Sequence, residues 1–143
     1  MNKNSIIFLI FIFSTSCKVK NLETINELKL YKDLGQVQRS FDITIESFWS
    51  FKAVDVDSIR IDNSHSVEML NAYLNKLDCK KKKFIYMNPK YALITIYKGK
   101  KDTLYLDENM KKGYYVGSQV EFTDTSNGLE SIFKKMNPSF FLE

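Results

Sequence analysis

The stretch "YALITIY", residues 91–97, decides the fold class of this chain. Because successive side chains of a strand point to opposite faces of a sheet, its residues divide into two sets. One set contains Leu93, Thr95 and Tyr97, and the other contains Ala92, Ile94 and Ile96. Both sets are largely apolar, which is typical of a strand covered on both faces. The sequence therefore predicts a central strand here.

The neighbouring segments extend this strand into a meander. The turn "KGKKD" (98–102) contains Gly99, which supplies the positive φ that tight hairpin turns usually need, and it leads into "TLYLD" (103–107). The run "GYYVGSQVEF" (113–122) continues the meander, and "FIYM" (84–87) precedes it. Strand-like runs separated by short turns of this kind favour antiparallel pairing.

Two earlier runs also alternate between apolar and polar residues. They are "SFDITIESFWSF" (40–51) and "AVDVDSIRID" (53–62), and their period of two predicts a strand pair or one bent strand. Residues 22–38 fit a loose helical stripe, but they fit equally well a strand through "LKLY" (28–31). The sequence leaves that choice open.

The segment 63–83, "NSHSVEMLNAYLNKLDCKKKK", is the clearest helix in the sequence. It carries an apolar stripe at helical spacing, formed by Val67, Leu70, Leu74 and Leu77. Ser64 or Ser66 is placed to cap its first turn. We expect the lysines at 80–83 to gather at its end, where cations meet the negative end of the helix dipole.

A second helix is predicted near the C-terminus. Leu129, Ile132, Phe133 and Met136 share one helical face. Asn127, followed three residues later by Glu130, resembles a capping box. The expected fold class is therefore α+β, with an antiparallel β-sheet (a meander) and two or three helices packed on one face.

The first residues of the chain have the pattern of a secretory signal. Lys3 is followed by an apolar core at 6–13 and by the small residues Ser-Thr-Ser before Cys17. The apolar core is far shorter than the ~20 residues that a membrane-spanning helix needs. The segment 1–17 resembles the lipobox of bacterial lipoproteins, although Ser14 stands where that family usually has leucine.

This resemblance implies that Cys17 is acylated and becomes the first residue of the mature chain. The expected organisation is a signal peptide at 1–16, an acylated Cys17 with a short tether at 17–21, and one α+β domain at 22–143. The implied partner of the anchor is the lipid bilayer of the cell envelope. Lys18, in place of an aspartate after the cysteine, favours the outer membrane under lipoprotein sorting rules.

The sequence offers little for catalysis or metal binding. His65, the single histidine, and Cys79 bracket the predicted helix, which would hold them ~21 Å apart. "DENMKKG" (107–113) begins like a calcium loop but has a lysine where an oxygen ligand belongs. Asp55 and Asp57 would share one face of a strand, but this spacing occurs on any polar strand face and is not specific to a catalytic pair of carboxylates. We therefore expect no catalytic residues, no metal and no cofactor.

Cys79 is the only cysteine that remains once Cys17 is acylated, so no intramolecular disulfide can form. We expect Cys79 either to be buried as a small apolar side chain or to form an intermolecular bridge, and burial is the preferred interpretation.

Two sets of residues are candidates for partner binding. The first is the lysine run Lys80, Lys81, Lys82 and Lys83, which could touch anionic lipid headgroups or an acidic partner. The second is the tyrosine set Tyr97, Tyr105, Tyr114 and Tyr115, expected on an uncovered sheet face.

The net charge of +4 is mild, and together with an envelope location it argues against a nucleic-acid partner. The sequence thus predicts a small lipid-anchored envelope protein with a non-catalytic binding module for a protein or other envelope macromolecule such as a glycan. Inhibitor, immunity-type and accessory lipoproteins fit this description. The alternatives are a small-ligand carrier and, less favoured, an envelope hydrolase.

Overall fold

The computed structural model describes residues 25–36, 42–51, 55–97 and 99–142. These residues form a seven-stranded antiparallel sheet with two α-helices, which confirms the α+β fold class. The strands are β1 (Ile25–Asp33), β2 (Val56–Ile61), β3 (Cys79–Lys81), β4 (Tyr91–Tyr97), β5 (Lys100–Leu106), β6 (Lys112–Tyr115) and β7 (Val120–Thr123). The helices are α1 (Ser64–Leu74) and α2 (Gly128–Met136), with short 3-10 helices at Phe48–Phe51 and Pro138–Phe141.

The strand order is β2-β1-β4-β5-β6-β7-β3, so the four strands from β4 to β7 form the predicted meander. β4 lies between β1 and β5, as expected for a central strand. The β4–β5 hairpin closes at Tyr97 and Lys100, and Gly99 has a φ of 73° there. The alternation along 91–97 therefore predicted both the place of β4 and its two faces.

The two α-helices pack on one face of the sheet. Leu70 and Leu74 of α1, together with Leu129 and Phe133 of α2, are buried against apolar side chains of the strands. The strand residues of this core are Leu28, Leu30, Ile61, Tyr91, Leu93, Leu104, Leu106, Tyr115 and Phe122. The expected placement of the helices on one face is confirmed.

A second apolar core covers the opposite face of the sheet. Phe48, Ile43 and Met87 are buried against strand side chains of this face, which are Tyr31, Ala92, Ile94, Tyr105 and Tyr114. The covering segments are the 3-10 helix at 48–51, the turn before it, and the chain between β3 and β4. The expected uncovered face is therefore wrong at these positions.

The strand prediction for 40–51 is wrong within the described residues 42–51. The hydroxyl of Ser47 accepts a hydrogen bond from the Thr44 N–H, and the hydroxyl of Thr44 accepts one from the Ser47 N–H. Such local bonds favour a turn over a strand ladder. Trp49 then donates its indole N–H to the Tyr105 hydroxyl at 2.7 Å, which fixes this segment onto the sheet.

The partner of β2 also differs from the expectation. β2 pairs with β1 from Leu28↔Ile61 to Asp33↔Val56, and no described strand lies in the 42–51 segment. The open choice at 22–38 is settled for 25–33, which are strand. β1 has neighbours on both edges, because it pairs with β2 and β4.

The meander differs from its prediction at both ends. Residues 84–87 are not a strand; instead Cys79–Lys81 forms β3 and pairs with β7. The run 113–122 is a hairpin rather than one strand, since β6 and β7 pair across a turn in which Gln119 has a φ of 53°.

The start and the end of α1 also differ from the prediction. Its N-cap is Asn63, whose side chain accepts from the Ser66 N–H at 3.1 Å, rather than Ser64 or Ser66. The helix ends at Leu74, so the lysines at 80–83 do not lie at its terminus. Lys80 and Lys81 belong to the edge strand β3 instead.

The register of the strands defines two ends of the sheet. The tether end, as we name it, is where β1 begins at Ile25 opposite Tyr97 of β4, and it includes Lys100 and the β6–β7 turn at 116–119. The far end is where Asp33 finishes β1 and where the loop 107–111 joins β5 to β6. Among the described residues, no helix is long and apolar enough to cross a membrane.

Candidate functional site

An open groove of about 770 Å³ lies beside the edge strand β3, toward the far end of the sheet. Its walls are the end of α1, β3, the start of β6, and the chain that leads from β7 into α2. The lining residues are Tyr73, Lys76, Leu77, Asp78, Lys80, Lys112, Glu121, Phe122, Thr123, Asp124, Thr125 and Ser126. Most of these side chains are exposed, so the groove is a surface feature and not an enclosed cavity.

The one buried carboxylate in the groove is Asp124, which is 1% exposed. Its Oδ1 accepts from the Tyr73 hydroxyl at 2.8 Å, from the Ser126 N–H at 3.0 Å and from the Ser126 hydroxyl at 2.8 Å. Its Oδ2 accepts from the Leu129 N–H at 2.9 Å. Asp124 therefore caps the first turn of α2 and connects it to α1 through Tyr73.

This cap replaces the predicted capping box. Asn127 has a φ of 58°, and its side chain makes no hydrogen bond to the first turn of the helix. The predicted Asn127–Glu130 capping box is therefore wrong. Gly128, the first residue of α2, lies directly against the Tyr73 ring, where an added Cβ would come within 2.1 Å of the Tyr73 Cζ. A glycine at this position allows Tyr73 to reach Asp124.

The hydrogen bonds set the charge state of Asp124. Burial is the largest single influence and by itself would raise the pKa of Asp124. The bonds from Leu129, Tyr73 and Ser126 outweigh burial, so the pKa is lowered from its ordinary value. Burial also raises the pKa of Tyr73, and the Asp124 charge adds to that effect. At neutral pH the pair is a carboxylate and a neutral phenol.

The rim of the groove carries charges of both signs. Lys76, Lys80 and Lys112 are exposed on it, and so is Asp78. Glu121 is already engaged with Lys82, at 3.0 Å between Nζ and Oε2. Between these charges lie the hydroxyls of Thr123, Thr125 and Ser126. The groove thus offers ion-pair and hydrogen-bond partners around an apolar strip of Leu77 and Phe122.

The structure places the predicted tyrosine set mainly in the interior. Tyr105 is 4% exposed, Tyr114 is 6% exposed and Tyr115 is 5% exposed. Tyr115 lies in the core under the helices, whereas Tyr105 and Tyr114 lie in the core on the other face. These three rings do not form a surface, because both faces of the sheet are covered where they lie. The side chain of Tyr97 is outside the described part of the chain.

The predicted lysine run is exposed, but its members differ in their surroundings. Lys80 lines the groove, Lys82 pairs with Glu121, and the ammonium of Lys83 lies 5.7 Å from the ring centroid of Phe84. Lys81 is exposed on β3.

Beside the lysines are two aromatic side chains, Phe84 and Tyr86, for which the sequence predicts a strand. Phe84 is 81% exposed and Tyr86 is 85% exposed. Between them, Ile85 packs against the second core. The alternation of "FIYM" is real, but without a strand: it places Ile85 and Met87 inward and the two aromatic rings outward.

The cysteines and the histidine are the remaining candidate residues from the sequence. Cys17 lies outside the described residues. Cys79 is half-buried in β3 beside the helix-face core, and its thiol donates to the Leu77 carbonyl at 3.4 Å. His65 is exposed in the first turn of α1. Within the described ranges no three His, Cys, Asp or Glu side chains are grouped to hold a metal ion.

The chain matches no known protein family, and no curated protein or solved structure is significantly similar to it. Its site must therefore be interpreted from its own geometry.

Proposed function

We propose that this chain is a small lipid-anchored protein of the bacterial cell envelope, and that its domain is a non-catalytic binding module for another envelope protein. The observation that carries the proposal is the open groove along β3, with charges of both signs on its rim. The pattern at 1–17 supports the anchor, with acylation at Cys17 and an outer-membrane location.

The state of Asp124 supports a binding role over hydrolysis. A general acid needs a proton to donate near neutral pH, and a general base needs an oxygen directed at its substrate. Asp124 has a lowered pKa and four hydrogen bonds from the protein itself. Its geometry suits a structural cap that shapes the groove wall.

The shape of the groove supports a macromolecule over a small ligand. Small-molecule sites bury most of the ligand in a concave, mainly apolar cavity. Here the lining is largely exposed and polar, and it follows an edge strand. Alternating lysines, a carboxylate and hydroxyls provide partners for the charged side chains and backbone of a protein surface.

A pull-down with photo-crosslinking tests the proposal. The acylated protein, with a photo-reactive side chain at Thr125 on the groove wall, is crosslinked in its native envelope, and the captured proteins are identified by mass spectrometry. We expect one stoichiometric protein partner. Its identity separates an inhibitor or immunity role from an accessory subunit.

Charge reversal at the rim provides the matched comparison. Lys80→Glu and Lys112→Glu change exposed groove residues and should lower recovery of the partner roughly tenfold, equivalent to about 1.4 kcal/mol of binding free energy. Lys135→Glu changes an exposed lysine of α2 outside the groove and should leave recovery unchanged. Equal recovery with all three variants would place the partner elsewhere on the domain. Absence of any protein partner would favour the small-ligand carrier.

A further inference from the structure

The tether end of the sheet is the end at which the chain arrives from Cys17. β1 starts there at Ile25, eight residues after Cys17. Even a fully extended chain spans only ~3.4 Å per residue, so this end can lie at most about 27 Å from the acylated cysteine. An anchor at Cys17 would therefore keep the tether end within about 27 Å of the bilayer.

The same end carries exposed lysines from several elements. Lys100 and Lys101 begin β5, and Lys82 and Lys83 follow the end of β3. All four are exposed. The backbone places Lys82 there firmly, since its N–H donates to the Gln119 carbonyl in the β6–β7 turn and its carbonyl accepts from the Tyr114 hydroxyl.

Exposed apolar side chains accompany these lysines. Phe84 is 81% exposed, and Val116 in the β6–β7 turn is 43% exposed. Phe84 does not hang from a loose loop, because the neighbouring Ile85 packs on the second core and Met87 is buried in it. The fold thus presents a large apolar ring to solvent from a segment anchored on both sides.

The nearby carboxylates are already engaged. Asp102 accepts from the Thr103 N–H and from the Gly117 N–H, both at 2.9 Å. Glu121 pairs with Lys82. Asp62 follows β2 at the opposite edge of the sheet, away from β3. The far end, by contrast, carries the exposed Glu108 in the loop between β5 and β6.

We propose that the tether end is a membrane-docking surface, formed by Lys83, Phe84, Lys100, Lys101 and Val116, which rests on the anionic phospholipid headgroups of the bilayer that holds Cys17. Lysines are attracted to anionic headgroups, and aromatic rings favour the interfacial region of a bilayer. The inference rests on the proposed lipid anchor and adds an orientation to it. With the tether end docked, the part of the groove around Thr123 and Lys112 would lie on the side away from the membrane.

Tryptophan reporters in the acylated full-length protein test this docking. Phe84→Trp places a reporter on the docking surface, and Glu108→Trp places one at the far end; the unsubstituted protein gives the background from Trp49. Each protein is reconstituted in vesicles of phosphatidylcholine alone or with phosphatidylglycerol, and brominated lipids serve as the quencher. We expect strong quenching of the reporter at 84 only when phosphatidylglycerol is present, and little quenching at 108 in either vesicle.

Removal of charge should weaken the docking in a predictable way. Lys83→Gln combined with Lys100→Gln, made in the Phe84→Trp protein, should lower the docking equilibrium constant roughly 30-fold. Lys111→Gln combined with Lys135→Gln removes the same charge outside the docking surface and should leave the docking equilibrium constant unchanged. Equal quenching at 84 and 108, equal quenching in both vesicle types, or no quenching at 84 would overturn the inference.

Failure of the anchor and failure of the docking give different results. The intact mass of the purified protein first reports whether Cys17 is acylated. If it is not, the proposed anchor is wrong, and the same reporters are read after the purified chain is added to preformed vesicles. An acylated protein with no quenching at 84 keeps the anchor and rejects the docking surface. Crosslinking of residue 84 to an acidic protein, rather than contact of this residue with lipid, would also reject the docking surface.

Discussion

At the scale of single residues, Asp124 is the buried charged side chain of the groove. It is buried, and a buried carboxylate is tolerated only where its oxygens are hydrogen-bonded. Its donors come from α1, from the loop after β7 and from α2, so one side chain joins three pieces of the chain. The relative position of the two helices along the groove therefore depends on this carboxylate.

Replacement of Asp124 by asparagine should destabilise the domain by about 2 kcal/mol, because an amide keeps one acceptor oxygen and turns an NH₂ group toward donors that lose their partner. Urea denaturation at pH 7 measures this loss. Asp78→Asn, at an exposed carboxylate of the same groove, is the control and should be nearly neutral.

The pH dependence gives a second, independent readout. Since the folded state lowers the pKa of Asp124, its stabilising contribution is complete at neutral pH and is lost as the pH falls below about 4 toward the folded pKa. The Asp124→Asn variant should lack that part of the acid sensitivity. An identical acid profile in the two proteins would contradict the assigned role.

Asp124 shows why the candidate site was only partly predictable. The pattern Asn127-x-x-Glu130 is a short-range signal for a helix start, and it correctly located α2. The actual cap depends on Tyr73, which is 51 residues away in sequence from Asp124. Long-range contacts of this kind leave no periodic pattern in a single sequence. The lysines at 80–83, by contrast, are consecutive in the sequence, so their exposure could be predicted from their charge alone.

At the scale of elements, long and regular patterns were predictive and short ones were not. β4, α1 and α2 each repeat their apolar period over several residues, and the structure has all three. β4 and α2 lie close to their predicted bounds, whereas α1 ends at Leu74, well before the predicted end at residue 83. The alternation at 42–51 is equally regular to the eye, but the Thr44–Ser47 hydrogen bonds and the burial of Phe48 favour a turn and a 3-10 helix. β3 escaped prediction because its lysines suggested a solvated helix end.

The start of α1 provides a prediction at this scale. Asn63→Ala removes the side-chain acceptor for the Ser66 N–H and should lower the free energy of unfolding by about 1 kcal/mol. Ser64→Ala, at one of the two residues (Ser64 or Ser66) that the sequence predicted as a cap, should change it by less than about 0.5 kcal/mol. Chemical denaturation of both variants checks the assignment, and the reverse order of effects would show that the cap is Ser64 after all.

At the scale of the whole molecule, two covered sheet faces leave the edges and ends for contact with other molecules. The groove lies along the β3 edge toward the far end, and the exposed lysines with Phe84 lie at the tether end. The two surfaces adjoin where Lys82, which precedes Lys83 of the proposed docking surface, pairs with Glu121 of the groove rim.

The proposed lipid anchor is tested by Cys17→Ala. This change should leave the fold intact and release the protein from the membrane fraction, because acyl chains contribute about 0.8 kcal/mol per buried CH₂ to membrane binding and the variant has none. Cys79→Ala, at the half-buried cysteine of β3, should remain membrane-bound. Fractionation with circular dichroism measures both properties. A Cys17→Ala protein that stays in the membrane with its N-terminus uncleaved would show that the lipoprotein interpretation is wrong.

The shortness of β3 has a consequence for the local stability of the groove. Only Cys79, Lys80 and Lys81 pair with β7, and β3 is the edge strand of the described sheet. Native proteins open locally with free energies far below that of global unfolding, first where few contacts hold an element in place. The β3 wall is such an element, whereas the opposite wall is fixed by the bonds of Asp124. We therefore expect amide hydrogen exchange to be faster in Cys79–Lys81 than in the first turn of α2, so that the two walls of the groove would differ in local stability.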